Sequence, residues 1–295
     1  MPPRVPISPL RYPGGKTRFV PHLVSWVGTR RFLRVVEPFC GGASVSLGLL
    51  DAGVVEAAVL SDADTVVAAF WKECAYNADE FCARIADEPV TVARWRHWKG
   101  VIAADEAGES VSNSDRAMAA LFLNRTSFSG LIRHGSVLGG VDQDAKAAAG
   151  NPVKYPVGCR FNKEAIIASI TRVGAWADQG RLWAFHRDCD STLDTCMEFD
   201  FLYLDPPYVE KSDQLYGLGF TETDHRNLAK QVLDLRGVQF GVSYDDMPII
   251  RECYPEKDGV RVLSPKWSYG MGKSKSSREV FVTNIPSDPN NPEFA

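Results

Sequence analysis

Four apolar residues, Phe201-Leu202-Tyr203-Leu204, run straight into Asp205-Pro206-Pro207-Tyr208. An unbroken apolar run of that length, closed by prolines that cannot extend a ladder, reads as a strand buried on both faces. Such strands belong to parallel sheets covered by helices, so this one segment commits the chain to an α/β fold. It also sets a carboxylate, carbonyls fixed by proline rings and a flat aromatic at the carboxyl edge of the sheet, where open α/β folds bind ligands. That set suits chemistry on the exocyclic amine of a flat heterocycle. The carboxylate and a prolyl-peptide carbonyl can accept both N–H hydrogens while the ring stacks on the base. A proline-rich strand exit without chemistry carries the same letters, so the rest of the chain has to decide.

The opening of the chain supports a parallel sheet. Phe32 to Glu37 reads as a strand, Pro38-Phe39-Cys40-Gly41-Gly42-Ala43 as a turn, Ser44 to Leu50 as a helix and Ala57 to Ser61 as a second strand ending at Asp62. This is a βαβ beginning, and such units are right-handed. Before it, Thr17 to Val27 reads as helical; after it, so do Thr65 to Cys74 and Asp79 to Ala86. The sheet resumes with Leu182 to His186 and Phe201 to Leu204. Thr221 is expected to cap a helix over Glu222–Leu235, with Leu228, Val232 and Leu235 on one face. Val238 to Val242, Gly259 to Leu263 and Glu279 to Thr283 read as the last strands, the final two antiparallel around a basic loop, Trp267 to Ser277.

Residues 75–180 break that rhythm. A helix over Asp115–Leu123, with Ser114 as its cap, is followed by about 25 residues of Gly-, Asn- and Pro-rich coil from Gly135 to Cys159. A coil that long inside a compact domain is more often functional than filler. The expected organisation is therefore a core made of 1–74 and 181–295, with 75–180 inserted between sheet strands.

Composition narrows the compartment and the partners. The seven cysteines are odd in number and form no C-x-x-C pair, which points to reduced thiols in a cytoplasmic protein and away from structural zinc. No apolar stretch approaches the roughly 20 residues of a membrane span. Met1-Pro2-Pro3-Arg4 is followed by no apolar h-region, so a secretory signal is not expected. A net charge of −4 does not advertise a nucleic-acid binder, although residues 91–190 hold a small basic excess.

Two further loops look like ligand loops. Glu37-Pro38-Phe39-Cys40-Gly41-Gly42 lies between a strand and a helix, where glycines allow close approach of backbone to ligand and the helix start offers N–H donors. Asp62 lies 20 residues beyond Gly42 at the end of the next strand, an offset at which an acid typically takes ribose hydroxyls. Together they point to an adenosine-bearing cofactor, although an acid before a helix is as often a plain cap. Tyr12-Pro13-Gly14-Gly15-Lys16-Thr17 is not a Walker loop, because the position that needs the first glycine holds Leu10. It can instead close over a small ligand with its ammonium beside a carboxylate.

With these motifs in this order, the chain resembles the Dam-type (D12 class, α arrangement) N6-adenine-specific DNA methyltransferases over about residues 8–285. The resemblance rests on Pro9-Leu10-Arg11-Tyr12-Pro13-Gly14-Gly15-Lys16, Glu37-Pro38-Phe39-Cys40-Gly41-Gly42-Ala43-Ser44, Leu123-Asn124-Arg125-Thr126-Ser127-Phe128-Ser129-Gly130-Leu131 and Asp205-Pro206-Pro207-Tyr208. Cys159-Arg160-Phe161-Asn162-Lys163 and Ser243-Tyr244-Asp245-Asp246 reinforce it. It implies a Rossmann-like methyltransferase sheet with an inserted, mainly helical target-recognition region, S-adenosylmethionine as cofactor with S-adenosylhomocysteine as product, no metal, and double-stranded DNA as partner. It leaves a cognate restriction enzyme open as a second partner.

Carried over by position, the resemblance implies that Tyr12, Lys16, Asp62 and Asp205 contact the cofactor, with Glu37, Pro38, Phe39, Gly41 and Gly42 packed against it. Asp205, Pro206, Pro207 and Tyr208 carry the chemistry on a flipped-out adenine. Asn124, Arg125, Phe128, Ser129 and Arg133 belong to the DNA side, with Arg133 placed to contact a guanine; a phosphate contact or a structural salt bridge is the other reading of Arg133. Phe128 and Ser129 stand where the bacterial GATC enzymes have an aromatic-Asn pair, so the recognition site need not be GATC. Methylation of cytosine N4 or of adenine in RNA uses the same motif geometry, and a silent DNA-binding protein on this scaffold is the reading from another class.

Overall fold

The computed structural model describes residues 7–11, 15–208, 220–264 and 279–286. In chain order it builds α1 (Val20–Val27), β1 (Phe32–Glu37), α2 (Ser44–Asp51), β2 (Val55–Asp62), α3 (Thr65–Tyr76), α4 (Ala78–Asp87), α5 (Val92–Glu106) and α6 (Asn113–Thr126). There follow α7 (Gln143–Ala148), α8 (Lys163–Asp178), β3 (Leu182–His186), α9 (Cys189–Leu193), β4 (Phe201–Leu204), a helix over Glu222–Asp234, β5 (Gln239–Asp245), a short helix over Pro248–Cys253, β6 (Arg261–Leu263) and β7 (Glu279–Thr283). The chain forms two compact units, 1–15 with 62–186, and 16–61 with 187–295.

The second unit is a Rossmann-like α/β sheet. Its strands run in the order β2-β1-β4-β5-β7-β6. The pairs β1–β2, β1–β4 and β4–β5 are parallel, and β7 runs antiparallel to both β5 and β6. As expected from its apolar run, β4 lies between two parallel neighbours with all four side chains at 0% exposure. Burying such a side chain contributes roughly 1.5–3 kcal/mol, and Leu202→Ala would cost about 2–5 kcal/mol. Phe201 stacks on Phe32 of β1, ring centroids 5.3 Å apart. Gly241 of β5 leaves room for the Phe281 ring of β7; a Cβ there would overlap it.

Element ends moved where local hydrogen bonding decided. The expected helix over Thr17–Val27 begins instead with a 3₁₀ turn, Lys16–Arg18, and α1 starts at Val20 with Pro21 in its first turn, where a missing N–H costs nothing. The helix over Glu222–Asp234 is capped by Thr221, as its sequence predicts, in a capping box with Asp224, and stops at Asp234. In the sheet, β5 runs three residues further than Val242, to Asp245, paired with Glu279 of β7.

The first unit is mainly helical, built from α3 to α8 with β3. Ser112 rather than Ser114 caps α6: its Oγ accepts from the Asp115 N–H at 3.0 Å, while Ser114 Oγ is used by Arg84 at 2.7 Å. The coil from Gly135 to Cys159 holds one short helix, α7. Buried Gln143 staples it, donating to Leu138 and Gly140 carbonyls at 2.7 and 2.9 Å and accepting from Val157 N–H at 2.8 Å. Trp98, fully buried, lies beneath the guanidiniums of Arg84 and Arg94, and its Nε1 donates to Glu88 at 2.8 Å.

Candidate active site

In the second unit the chain leaves β1 toward β2 and leaves β4 toward β5, so adjacent strands β1 and β4 form a switch point where loops diverge. Both expected motifs emerge there: Pro38 to Ala43 after β1, and Asp205 to Tyr208 after β4. The first turns sharply through left-handed Gly41 (φ 43°) and Ala43 (φ 48°), and its Cys40 N–H donates to Ser61 O of β2 at 3.0 Å. Glu37 is 3% exposed and its carboxylate accepts from Ser46 N–H at 3.2 Å, which caps α2 where Ala43 has no side chain to do so. Half-buried Phe39 meets Phe220 edge-on, and Phe220 meets His225.

The second motif carries the charge. Lys16 Nζ donates to both Asp205 oxygens at 2.9 Å and to Tyr208 Oη at 2.8 Å, although the lysine side chain is only 4% exposed. Thr17 Oγ1 and Ser44 Oγ, 3.2 Å apart, hold this turn to the start of α2. Burial pushes the Asp205 carboxyl above the usual aspartate range against the opposing pull of the Lys16 ammonium. Burial, then the Asp205 charge, pushes the Tyr208 hydroxyl up as well. The result is a carboxylate held in one orientation at the sheet edge, still 23% exposed, beside a ring fixed by its own hydroxyl. Pro206 is buried and Pro207 half-buried behind it.

In the first unit, Asp62 closes β2 and its Oδ1 accepts from Asp64 N–H at 3.0 Å. Residues 127–137 form a narrow hairpin, bridged at Ser127 and Val137, with Phe128 N–H donating to Ser136 O at 3.0 Å. It presents Phe128, 61% exposed, and Ser129, also exposed. Arg160 braces the loop, its guanidinium 5.7 Å from the Phe128 ring centroid and its Nη1 donating to Phe128 O at 2.6 Å. Asn124, expected on the DNA side, is instead fully buried. It accepts from Arg11 N–H at 2.7 Å and donates to the carbonyls of Arg11 (3.1 Å) and Gly130 (2.7 Å), so both of its N–H donors are used inside the unit. Arg133 meets Asp64 and Glu106. Tyr12 and the basic loop Trp267 to Ser277 lie outside the described residues.

Arg125, expected on the DNA side, lies in a cluster with Arg11 and Arg160, for which the motifs gave no role. Burial pulls the Arg125 guanidinium down to about 10, helped by Arg11, and burial with Arg160 pulls Arg11 down. Arg125 Nε donates to Pro9 O at 2.7 Å, while Arg11 Nη1 is buried with no hydrogen-bond partner. No ion pair reaches these three among the described residues. Nothing in their spacing, 11, 125 and 160, signals that they meet.

The matching family model is that of D12 class N6 adenine-specific DNA methyltransferases, over residues 12–139 and 185–271, which takes in the turn, the hairpin and the Asp205 motif. The chain belongs to this family. This methyltransferase is also 22% identical over 287 residues to the Type II methyltransferase M1.LlaDCHI of Lactococcus lactis subsp. cremoris, covering 93% of this chain and 94% of the relative. Among solved structures, the rRNA methyltransferase AviRa from Streptomyces viridochromogenes aligns with 92% of the methyltransferase and 85% of its own chain at 12% identity and a TM-score of 0.39. The enzyme is thus an adenine-specific DNA methyltransferase. No helix among its described residues is long and apolar enough to cross a membrane.

Proposed function

We propose that the enzyme transfers a methyl group from S-adenosylmethionine to N6 of an adenine turned out of duplex DNA at a specific site. The observation that carries this reading is the Asp205 carboxylate, oriented through both oxygens by Lys16 at the carboxyl edge of β4. A paired, stacked adenine cannot bring N6 to that edge, so the base must leave the duplex. Asp205 and the Pro206 carbonyl accept the two N6 hydrogens, which frees the nitrogen lone pair, and Tyr208 stacks on the base. The carboxylate need not be a strong base, because the amine becomes acidic only as its new bond forms. Orientation and electrostatic placement carry most of the rate.

The residues fit the cofactor. Buried Ser61 Oγ has no hydrogen-bond partner and stands next to Asp62 at the end of β2, and the Gly41-Gly42 turn opens onto α2. Asp62, Tyr12, Lys16 and Asp205, with Glu37, Pro38 and Phe39 behind the turn, are the groups to hold it. S-adenosylmethionine supplies an electrophilic methyl group on a sulfonium.

On the DNA side, Phe128 and Ser129 enter the duplex from the hairpin and Arg133 contacts a guanine. Arg125, with Arg11 and Arg160, suits phosphate, since guanidiniums without carboxylates favour an anion. Asn124 acts by bracing the hairpin. Residues 75–180 serve as the target-recognition insertion of a cytoplasmic enzyme that works beside a cognate restriction enzyme, a reading favoured by the likeness to a protein named as a Type II methyltransferase. Asp205→Ala tests the assignment: methyl transfer should fall on the order of 10³-fold, as when a preorganised polar group is deleted from an active site, with the fold intact. Retention of more than a small fraction of the rate would remove Asp205 from its role.

A further inference from the structure

Arg133 differs from Arg11, Arg125 and Arg160, which no ion pair reaches among the described residues. Its Nε and Nη2 meet Asp64 Oδ2 and Oδ1 at 3.2 and 2.9 Å, and its Nη1 donates to Glu106 at 2.8 Å. Both acids are fixed by helices. Asp64 caps α3, with Oδ1 accepting from Val66 N–H at 2.8 Å, and its own N–H is tied to Asp62. Glu106 ends α5, whose Lys99 also donates to the Arg133 carbonyl. A guanidinium carries five N–H donors in one plane. Three are engaged here, which leaves two on a side chain that keeps 24% exposure.

Two N–H donors are what the O6 and N7 edge of guanine accepts in the major groove. We propose that Asp64 and Glu106 are positioning residues for sequence reading: they hold Arg133 in one orientation and present its two remaining donors to a guanine of the target site. This rests on the assignment of Arg133 as a base contact. The carboxylates act in two ways. They remove in advance the rotamer freedom that an unheld arginine would lose on binding. They also offset its charge, so that Arg133 is drawn less to any phosphate than Arg11, Arg125 and Arg160 are, and its contribution is selectivity rather than general grip.

The test measures single-turnover methylation across a pool of unmethylated duplexes carrying every base at each position around the target adenine, for the wild type, Arg133→Ala, Asp64→Asn and Glu106→Ala. Asn retains capping ability at position 64, and Glu106 is 48% exposed, so at least one acid variant keeps the fold. Arg133→Ala should relax one guanine position. Asp64→Asn and Glu106→Ala should relax that same position, by about tenfold, within the range that one bidentate base contact supplies, with the rate on the best site and S-adenosylmethionine affinity changed less than about twofold. If Arg133→Ala relaxes a position and neither acid variant does, the positioning role is wrong while the base contact stands. A uniform loss across all sequences in the acid variants would make the ion pairs a structural tie and overturn the proposal. No change of selectivity in Arg133→Ala would remove the base contact and the proposal with it.

Discussion

Lys16 can remain buried because its ammonium is surrounded by acceptors: two carboxylate oxygens and a phenol oxygen, all within 2.9 Å. The same contacts govern how Asp205 titrates. Burial raises the Asp205 carboxyl and the ammonium opposes it, so removing the ammonium leaves burial unopposed. Asp205 must be ionised to accept both N6 hydrogens. Hence kcat should fall on the acid side with an apparent pKa above the usual aspartate range, and in Lys16→Met that limb should move to higher pH. A limb that stayed in place or moved to lower pH in the variant would show that Lys16 does not act on Asp205. Asp205-Pro206-Pro207-Tyr208 was readable from sequence because strand exit, carboxylate and ring are contiguous in the chain. That Lys16 is a partner of Asp205 rather than of the ligand alone was not, since 189 residues separate them and only folding brings the ammonium to the sheet edge.

At the scale of elements, one ion pair fastens the two strands that carry the motifs. Asp200, immediately before β4 and 0% exposed, accepts from Arg34 of β1 at 2.9 and 2.5 Å and from Met197 N–H at 2.8 Å. Removing one partner of such a pair leaves a charge without compensation. Asp200→Ala should therefore lose about 3–5 kcal/mol of unfolding free energy in urea, and a loss under 1 kcal/mol would contradict the account. The helix over Glu222–Asp234 rests on β5 through His225, whose Nδ1 lies 3.1 Å from Tyr244 Oη, and burial holds the imidazole below its ordinary pKa. The unfolded chain thus binds the proton more readily, so stability is lost as pH falls through about 6.5 and regained above it. Stability should flatten across that window in His225→Gln, and an unchanged slope would assign it to another group. The hairpin depends on Gly130, left-handed at φ 78° with no room for a Cβ against the Arg11 carbonyl. The sheet strands and the helices beside them were legible from periodicity, but α5 and α8 were not read as helices; Ser112 in place of Ser114, and the staple at Gln143, depended on side-chain partners that periodicity does not contain.

For the whole molecule, the motif order and the alternation of strand and helix point to the α/β class and the family from the sequence alone. A net charge of −4 pointed elsewhere, because a local cluster such as Arg11, Arg125 and Arg160 is too small to set the charge of the whole chain. The arrangement predicts that DNA affinity falls with salt, and that Arg125→Ala and Arg160→Ala lessen the steepness of that fall by about one phosphate contact each; equal slopes in wild type and variants would exclude the phosphate role. Binding of S-adenosylmethionine to the folded chain alone should raise its stability by about 2.7 kcal/mol at a hundredfold excess over Kd.

The most direct measurement is methyl transfer from labelled S-adenosylmethionine to unmethylated duplex DNA, with the modified base identified by mass spectrometry and its context by long-read sequencing. N6-methyladenine within one short sequence motif, lost in Asp205→Ala, is the predicted result. Label on another base, or none on DNA under conditions where the cofactor demonstrably binds, would contradict the central claim.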